Sequence, residues 1–425
     1  MAIDKMLRVA GRASDGTAKA LKTDLDGNIN NVVVGIINNQ KKSIYPVFNV
    51  KEEFTKNDGV LPTAIFSKNG FIYVGKENGE IIKYNELGEK IWVYSGNSTK
   101  IKCLHVDDDD DIYVGVNSRL LIKLDMNGIV AWSTVLNGTQ SPNEGMLSVY
   151  QKGEYVYYGV DYLATDPYII KVNKNDGKIV YWMPVGENGG WNIYSIAVDN
   201  DGNIYAATRT GNLYKLSETA IKTGIVNTNG TAITWVSGEK FAIDGTWMGK
   251  YIFVNGNRYT ISTVTNDMTL VISTDAGIVN NAIYAQGIFT RVWTCVAHSD
   301  RIKQIKLGEG DTFYTCSDDN KVRKWNQLGK TGNWGTGEQV WSFDAHTDDV
   351  ISINVDNSGN VFSSSLDNTV RKIDDITGKE LFKFKGHSGA VINMANYNNY
   401  LYTIGNDKMF KKITNEQQLI GYRGL

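Results

Sequence analysis

Residues 101–136, IKCLHVDDDDDIYVGVNSRLLIKLDMNGIVAWSTVL, decide the fold. The stretch contains four short segments in which apolar and polar residues alternate: Ile101–Val106, Ile112–Val116, Leu120–Asp125 and Ile129–Leu136. Asp, Asn and Gly residues separate these segments, as the tight turns of β-hairpins require. The stretch therefore predicts four short antiparallel strands, joined by hairpins, within about 40 residues.

The same unit recurs along the chain and is marked by two features. The first is an apolar–aromatic pair, whose aromatic members are Tyr73, Tyr113, Tyr157, Tyr205, Tyr314, Phe362 and Tyr402. The second is a basic residue between apolar neighbours, at Lys83, Lys123, Lys171, Lys215, Lys324, Lys372 and Lys412. Both series advance in steps of 40 to 48 residues, with one step of 109 residues at the same place. Because a four-stranded sheet cannot bury both of its faces alone, this shared period predicts an all-β, seven-bladed β-propeller in which neighbouring blades cover each other.

The fourth strand of most units carries a large aromatic residue. These residues are Trp92, Trp132, Trp182, Trp293, Trp341 and Phe382. Because they recur with the period of the blades, packing between blades is favoured over a cofactor site. Two segments are candidates for the strand that closes the ring, Ile44–Phe54 and Gln418–Tyr422. The C-terminal segment is slightly favoured, with Ile44–Phe54 packing alongside it.

The 109-residue step indicates an insertion in the fourth blade, since the pattern stops after Lys215-Leu216 and resumes at Thr290–Trp293. Residues 220–288 are therefore expected to form a small β-barrel or sandwich between the third and fourth strands of that blade, at a loop that tolerates extra domains. Within it, Asn255-Gly256 joins two alternating runs, which is a strong hairpin signal. The predicted boundaries are 1–43 for an N-terminal segment, 44–219 for blades 1 to 4 (first part), 220–288 for the inserted domain, and 289–425 from the last strand of blade 4 to blade 7.

The last three units resemble WD40 repeats. The segments SDDNKVRKWN (317–326) and SLDNTVR (365–371) are similar to the S-x-D-x-T-V-R segment of that family. Three histidines stand where the family has its Gly-His: His298, His346 and His387. The resemblance implies a structural hydrogen-bonded network within one blade, made of His298, Ser317, Asp319 and Trp325. The first four units lack these His and Asp residues and look more like the PQQ-type propeller repeat, without an obvious cofactor constellation.

Part of the insertion resembles a small β-barrel module found within bacteriophage tail and fibre proteins. The similar segments are ITWVSG (233–238) and GKYIFVNGNRYTI (249–261). Three aromatic residues of the insertion, Trp235, Trp247 and Tyr259, are candidates for a surface on which a sugar stacks. The favoured alternative is that they fill the core of a module too small to spare aromatic residues.

The N-terminal segment does not fit the blade pattern. Residues 8–29, RVAGRASDGTAKALKTDLDGNI, resemble an opening shared by many virion proteins of phages that infect Gram-positive bacteria, where it tends to attach a protein to the particle. Residues 1–43 are polar, with one hairpin expected at Asp24–Asn28 and too little apolar surface to fold alone. They are therefore expected to gain order by adding strands to another virion protein, with a flexible tail as the alternative.

Composition narrows the classes of function. A net charge of −2 provides no basic field to attract nucleic acid or an anionic membrane. The three cysteines, Cys103, Cys295 and Cys316, are far apart, so buried thiols are expected rather than a metal site. The N-terminus has no apolar signal region, and no run approaches the roughly 18 apolar residues of a membrane helix. Folding in a cytoplasm, without membrane insertion, is therefore expected.

Familiar catalytic motifs are missing from the sequence. It contains no HExxH, no Gly-x-Ser-x-Gly on a strand–turn–helix and no Gly-rich loop before a helix. We therefore expect no enzyme activity, no cofactor, and no catalytic or metal-binding residues. Asp107–Asp111 and Asp199–Asn203 offer oxygens that suit calcium. Both fall where each unit places the turn between its first two strands, so turn formation is favoured.

These observations predict a non-enzymatic structural or adhesion protein of a phage or phage-like particle, associated with its tail. Residues 1–43 would attach it to other virion proteins, and the propeller would bind a host cell-surface glycan or protein. The protein would be assembled in the host cytoplasm and located in the virion in multiple copies. The alternatives are a cellular WD40-type scaffold for protein partners and, less favoured, a carbohydrate-active propeller enzyme, which would need paired carboxylates facing a pocket.

Overall fold

The computed structural model describes residues 35–37, 40–42, 46–96, 98–118, 120–135, 146–160, 168–184, 193–218, 222–245, 247–248, 250–255, 257–286, 289–326 and 338–419. All regular secondary structure in these residues is β-strand, and none of them forms a helix long and apolar enough to cross a membrane. The chain divides into two units, Met1–Lys51 with Ile413–Leu425, and Glu52–Lys412. The first unit contains an antiparallel hairpin of β1 (Gly35–Ile37) and β2 (Gln40–Lys42). The next strand is β3 (Pro46–Asn57).

Three four-stranded antiparallel sheets follow, and in each the strands are paired in chain order. Blade 1 consists of β4 (Pro62–Lys68), β5 (Phe71–Lys76), β6 (Ile81–Asn85) and β7 (Lys90–Tyr94). Blade 2 consists of β8 (Ile101–Val106), β9 (Ile112–Val116), β10 (Leu120–Leu124) and β11 (Val130–Val135). Blade 3 consists of β12 (Met146–Lys152), β13 (Tyr155–Val160), β14 (Tyr168–Asn173) and β15 (Ile179–Pro184).

The fourth blade is interrupted by a separate closed barrel. The blade begins with β16 (Ile193–Val198), β17 (Ile204–Thr208) and β18 (Asn212–Glu218). The barrel follows, with β19 (Lys222–Asn229), β20 (Ala232–Gly238), β21 (Tyr251–Val254), β22 (Asn257–Asn266), β23 (Thr269–Ile272) and β24 (Ile278–Gln286), paired around the barrel in the order β19-β20-β23-β22-β21-β24. The blade is then completed by β25 (Phe289–Val296), which pairs with β18. The predicted barrel module in blade 4 is therefore confirmed.

The last three sheets complete the set of seven. Blade 5 consists of β26 (Ile302–Leu307), β27 (Thr312–Ser317), β28 (Val322–Asn326) and β29 (Glu338–Phe343). Blade 6 consists of β30 (Val350–Val355), β31 (Val361–Ser365), β32 (Val370–Ile373) and β33 (Glu380–Phe384). Blade 7 consists of β34 (Val391–Tyr397), β35 (Tyr400–Gly405), β36 (Met409–Leu419) and, as its outer strand, β3.

The first strands of the seven blades form the inner wall of the ring. Each contacts the first strand of the next blade, and β34 contacts β4, so the series closes on itself. Polar side chains on these strands fix neighbouring blades, since the backbone N–H groups of Ile196 and Ile305 donate to the hydroxyls of Ser148 and Ser195. The seven-bladed β-propeller predicted from the repeat period is thus confirmed.

The repeated lysine has one role in all seven blades. Its ammonium lies 5.1 to 5.9 Å from the centre of the aromatic ring on the second strand of the same blade, a cation–π distance. The pairs are Lys83–Tyr73, Lys123–Tyr113, Lys171–Tyr157, Lys215–Tyr205, Lys324–Tyr314, Lys372–Phe362 and Lys412–Tyr402. The periodic sequence markers are therefore two halves of one contact that recurs around the ring.

The lysines differ in the groups that accept their hydrogen bonds or balance their charge. In five blades the partner is a carboxylate, at 2.6 to 3.7 Å: Lys123–Asp111, Lys171–Glu218, Lys215–Asp199, Lys324–Asp375 and Lys372–Asp356. In blades 1 and 7 the lysine donates to a backbone carbonyl of the next blade instead, from Lys83 to Met126 and from Lys412 to Glu86. Burial lowers the pKa of both of these lysines. The ring thus contains buried lysines with and without an ion pair.

The outer aromatic residues pack between blades, as the repeat suggested. The indole N–H of Trp92 donates to the Met126 carbonyl of blade 2, and that of Trp132 donates to the Lys174 carbonyl of blade 3. Gly128 lies in the same turn as Met126 with φ +82°, and a Cβ there would approach the Trp92 ring to 3.0 Å, so the turn requires glycine on both counts. In blade 3 the residue opposite Lys171 is Tyr181, which corrects the assignment of Trp182 to this position.

The strand that closes the ring is β3, which corrects the slight preference for Gln418–Tyr422. The last blade has the strand order β3-β36-β35-β34, so the C-terminal strand is its third strand rather than its outer one. Phe54 takes the place of the outer aromatic residue, 5.3 Å from the Phe410 ring. The Lys411 ammonium lies 2.8 Å from the Glu52 carboxylate and ties the same two strands. Apolar and polar residues alternate in both candidate segments, so only the pairing of β3 with β36 shows which segment forms the outer strand.

Candidate functional site

The residues expected to form a WD40-like network lie together in blade 5. His298 Nδ1 donates to Asp319 Oδ1 at 2.9 Å, and its Nε2 lies 2.7 Å from the Thr315 hydroxyl. The Trp325 indole donates to that hydroxyl at 2.8 Å, and the Ser317 hydroxyl accepts from the backbone N–H of Asp319 at 3.1 Å. Sequence analysis missed Thr315, although it stands two residues before Ser317 on the same strand and therefore on the same face of the sheet.

Blades 6 and 7 contain the histidine, aspartate and hydroxyl of this network without the tryptophan. His346 bonds Asp367 and Ser363, both at 2.8 Å. His387 bonds Asp407 at 3.0 Å and Thr403 at 2.8 Å. In blade 6 the residue that corresponds to Trp325 is Ile373, so no indole completes the chain of hydrogen bonds there.

Electrostatics keep these networks in a single protonation state. Burial lowers the pKa of His298, His346 and His387, and the hydrogen bonds to the aspartates oppose this shift only in part. The carboxyl of Asp367 shows the reverse balance: burial favours its neutral form, but the hydrogen bonds from His346 and Thr369 lower its pKa. The three histidine side chains are fully buried. Neutral imidazoles without access to solvent are suited to holding the blade together.

The three aromatic candidates of the insertion contact the core of the barrel. Trp247 is 4% exposed and lies 5.8 Å from the Phe241 ring, so its face is not available to a ligand. Trp235 and Tyr259 are partly buried against the same core cluster. A sugar-stacking surface would require exposed, coplanar rings, whereas a six-stranded barrel of this size needs large side chains to fill its interior.

A pocket of about 590 Å³ opens where the first strands of blades 1 to 3 meet the turns that follow them. It combines aromatic, basic and acidic side chains from three blades. Its lining consists of Phe66, Ser67, Lys68, His105, Val106, Asp107, Asp108, Tyr150, Gln151, Lys152, Gly153, Glu154 and Lys174. We refer to this feature as the three-blade pocket.

Three aromatic side chains, one from each blade, form the floor of the three-blade pocket. The imidazole of His105 contacts two tilted rings, 5.2 Å from the centre of Phe66 at 59° and 5.1 Å from that of Tyr150 at 39°. Burial, together with the charges of Lys306 and Lys68, lowers the pKa of His105 to about 3. The imidazole is therefore neutral at physiological pH and contributes an uncharged, polarisable surface.

The acidic run Asp107–Asp111 forms part of the rim and is tied down by lysines of three blades. Lys68 of blade 1, Lys123 of blade 2 and Lys174 of blade 3 each contact one of its carboxylates at 2.6 Å. Asp107 accepts hydrogen bonds from the backbone of Asp109 and Asp111 and from the Tyr113 hydroxyl. In the described ranges no three His, Cys, Asp or Glu residues are arranged to hold a metal ion. The run thus works as a turn and an inter-blade clamp.

Comparison with known proteins agrees with the repeats seen in the sequence. The family described as "WD domain, G-beta repeat" matches residues 289–326 and 337–374, each of which starts on the outer strand of one blade and continues through three strands of the next. The chain contains WD40 repeats. A short segment, residues 195–216, also matches the family described as "Strictosidine synthase-like, N-terminal". None of the curated protein sequences is significantly similar to the chain.

Two solved structures show the same architecture. The WD40 β-propeller domain of Doa1 aligns over 87% of this chain and 98% of its own, with a TM-score of 0.57 and 10% identity. The computationally designed Ika8 protein aligns over 84% of this chain and 98% of its own, with a TM-score of 0.52 and 14% identity. Identities this low establish the fold alone.

Proposed function

We propose that this protein is a non-enzymatic scaffold that binds a protein partner at the three-blade pocket. The supporting observation is that residues of three blades build the pocket and ion pairs between blades hold its rim in place. A preformed site of this kind requires little ordering when a partner binds, which favours affinity. The aromatic floor suits an apolar or aromatic side chain of the partner, and the charged rim suits a polar surround.

The rim can be tested at Asp108, which is fully exposed, so that its replacement leaves the core untouched and removes one inter-blade ion pair, to Lys68. We expect Asp108→Lys to reverse the local charge and weaken capture of the partner from the native assembly by about tenfold or more. The matched control is Glu239→Lys, which reverses an exposed charge on the barrel, 60% exposed, and should bind as the wild type does. Undiminished capture by both Asp108→Lys and Lys152→Glu would refute the pocket as the binding site.

We further propose that the scaffold belongs to a phage or phage-like particle, associated with its tail and attached to other virion proteins through residues 1–43. The support is the resemblance of residues 8–29 to the opening of virion proteins, together with the insertion in blade 4. In that setting the partner would be a virion protein or a host cell-surface protein or glycan, and several copies would be present in each particle.

The attachment proposal is tested by deleting residues 1–43. The deletion stops before β3, which closes the ring, so the propeller should still fold. We expect the truncated protein to be absent from purified particles while its circular dichroism and melting temperature match those of the full chain. Normal incorporation into particles would contradict the proposal. A cellular location without particles would favour the alternative, a cellular WD40-type scaffold.

A further inference from the structure

Each of the seven blades ends in an outer strand that has a sheet neighbour on one side only. An unpaired edge strand exposes N–H and C=O groups that can pair with another chain, and soluble proteins usually protect such edges with charges, proline or a covering element. Five of the outer strands contain charged residues: Lys90 in β7, Arg291 in β25, Glu338 in β29, Glu380 and Lys383 in β33, and Glu52, Glu53 and Lys56 among others in β3. Most edges are thus protected in the usual manner.

The outer strand of blade 3 is protected in a different way. Its sequence, IVYWMP, has no charge but ends in Pro184. Tyr181 of this strand is 2% exposed and packs in one cluster with Phe253 and Ala285 of the inserted barrel. The barrel therefore covers part of this edge, and proline removes one donor from it.

The outer strand of blade 2 lacks all of these protections. The sequence of β11, VAWSTV, contains neither a charged residue nor proline. It lies at the end of its sheet with β10 as its neighbour on the other side. Val130 and Val135 are 46% and 56% exposed, and Ile129 just before the strand is 64% exposed. Among the seven outer strands that the structure describes, this is the one with a bare, apolar edge.

One face of β11 is fixed while the other is free. The Trp132 indole and the Thr134 hydroxyl both donate to backbone carbonyls in the Lys174–Gly177 turn of blade 3. Ala131, Ser133 and Val135 alternate with these residues and are exposed. The strand is therefore rigid before any partner arrives, and an added strand would meet small and β-branched side chains on its open face.

We propose that the free edge of β11 binds an extended, uncharged segment of a partner protein, which adds a fifth strand to blade 2. Main-chain hydrogen bonds along the edge would supply much of the affinity, and β-branched residues of the segment would pack on Val130 and Val135. Because β11 has no charge, it offers no ion pair to a charged residue that packs against Val130 or Val135, so an uncharged segment suits this edge best. This edge lies across the sheet from β8, and none of the β11 residues lines the three-blade pocket.

The dimensions of the edge favour a flexible segment over a second copy of the protein. Six residues extend about 20 Å at about 3.3 Å per residue. A stable complex of two rigid proteins usually buries about 1,200 Å² or more, which requires contact well beyond one short strand. Two convex propeller rims that meet along this strand would separate on either side of it, whereas a flexible segment follows the strand along its full length.

The experiment uses the capped peptide Ac-STVTVTVS-NH2 as a probe and hydrogen exchange of the whole protein as the readout. We expect the peptide to slow the exchange of those β11 amides that point away from β10, with no change in the outer strands of the other blades. Ser133→Lys places a charge on this edge, as other blades do, and should weaken peptide binding about tenfold or more. The matched control is Val340→Lys in β29, an exposed position on an edge that already contains Glu338; it should bind as the wild type does.

Three results would overturn the proposal. The first is the absence of slowed exchange in β11 at peptide concentrations up to its solubility limit. The second is equal peptide binding by the wild type and Ser133→Lys when both variants have the same melting temperature. The third is a concentration-dependent dimer in sedimentation velocity that Ser133→Lys abolishes, because the edge would then be occupied by a second copy. None of these results would bear on the three-blade pocket.

Discussion

Blades 5 to 7 and blades 1 to 4 share one polar contact and differ in another. All seven have the lysine–aromatic contact. The histidine–aspartate network occurs in blades 5 to 7, whereas the one histidine of blades 1 to 4, His105, contacts two aromatic rings. The contact that repeats around the whole ring joins the second and third strands of every blade, often with a link to the next. The histidine–aspartate network instead links strands within each of three blades. Because four blades lack it, the ring does not need this network in every blade to close.

The largest expected effect is the loss of stability when one histidine–aspartate network is broken, compared with replacement of His105, which lies outside these networks. His346→Ala removes the donor to Asp367 and leaves that carboxylate buried without its main partner, at a cost of about 3 kcal/mol. His105→Phe keeps a ring between Phe66 and Tyr150 and should cost about 1 kcal/mol or less. Urea unfolding followed by tryptophan fluorescence measures both. Equal losses would mean that the networks add nothing to blades 5 to 7.

Acid should act on blades 5 to 7 through the same three histidines. Their pKa values are lowered by burial, so the unfolded chain takes up protons first as the pH falls below about 6.5. The stability that they contribute is therefore complete above this pH and is lost progressively as the pH falls towards the lowered pKa values. We expect the melting temperature of the wild type to fall more between pH 7.5 and pH 5 than that of His346→Gln, which cannot titrate at this position. Parallel losses in the two proteins would exclude His346 as a source of the pH dependence.

The same comparison shows what a single sequence reveals. The blade count and the insertion follow from local spacing, since hairpins and repeats are encoded over short distances. The network of His298, Ser317, Asp319 and Trp325 was expected only from the resemblance to WD40 repeats.

Tyr181, rather than Trp182, lies opposite Lys171 because it is the fourth residue after the turn glycine, the same spacing that Trp92 and Trp132 have in their blades. The register shift that follows the lysine is common to blades 1 to 6, so this position was readable from the spacing after the glycine. The strand that closes the ring could not be predicted in the same way, because β3 pairs with β36, more than 350 residues later in the chain.

The three-blade pocket was the feature least accessible from the sequence. Phe66, His105 and Tyr150 stand about 40 residues apart, and each has an ordinary place in its own blade. Only the arrangement of neighbouring blades brings these rings into contact. The acidic run was visible in the sequence, but its lysine partners lie in three blades, so its charge balance could not be predicted from its neighbours.

A smaller loss of stability should distinguish buried lysines that have an ion pair from those that do not. Both kinds occur in blades 1 to 4 and in blades 5 to 7. Lys372→Met leaves Asp356 largely buried without its cation, 2.8 Å away in the wild type, and should cost about 2 kcal/mol. Lys83→Met keeps the apolar stem next to Phe71 and strands no carboxylate, so its cost should stay within about 1 kcal/mol. The difference in unfolding free energy between these variants is the measurement. If Lys83→Met is the more harmful, the cation–π contact outweighs the ion pair.

The smallest effect concerns two tyrosines at the same position in blades 1 and 2. The Tyr113 hydroxyl donates to Asp107 at 2.9 Å, whereas the buried Tyr73 hydroxyl has no hydrogen-bond partner in the structure. The equivalent of Asp107 in blade 1 is Lys68, which cannot accept a hydrogen bond. Tyr113→Phe should therefore cost about 1 kcal/mol, and Tyr73→Phe should be neutral or slightly stabilising, because it removes an unsatisfied polar group. Loss of stability in Tyr73→Phe comparable to that in Tyr113→Phe would show that an ordered water already completes blade 1.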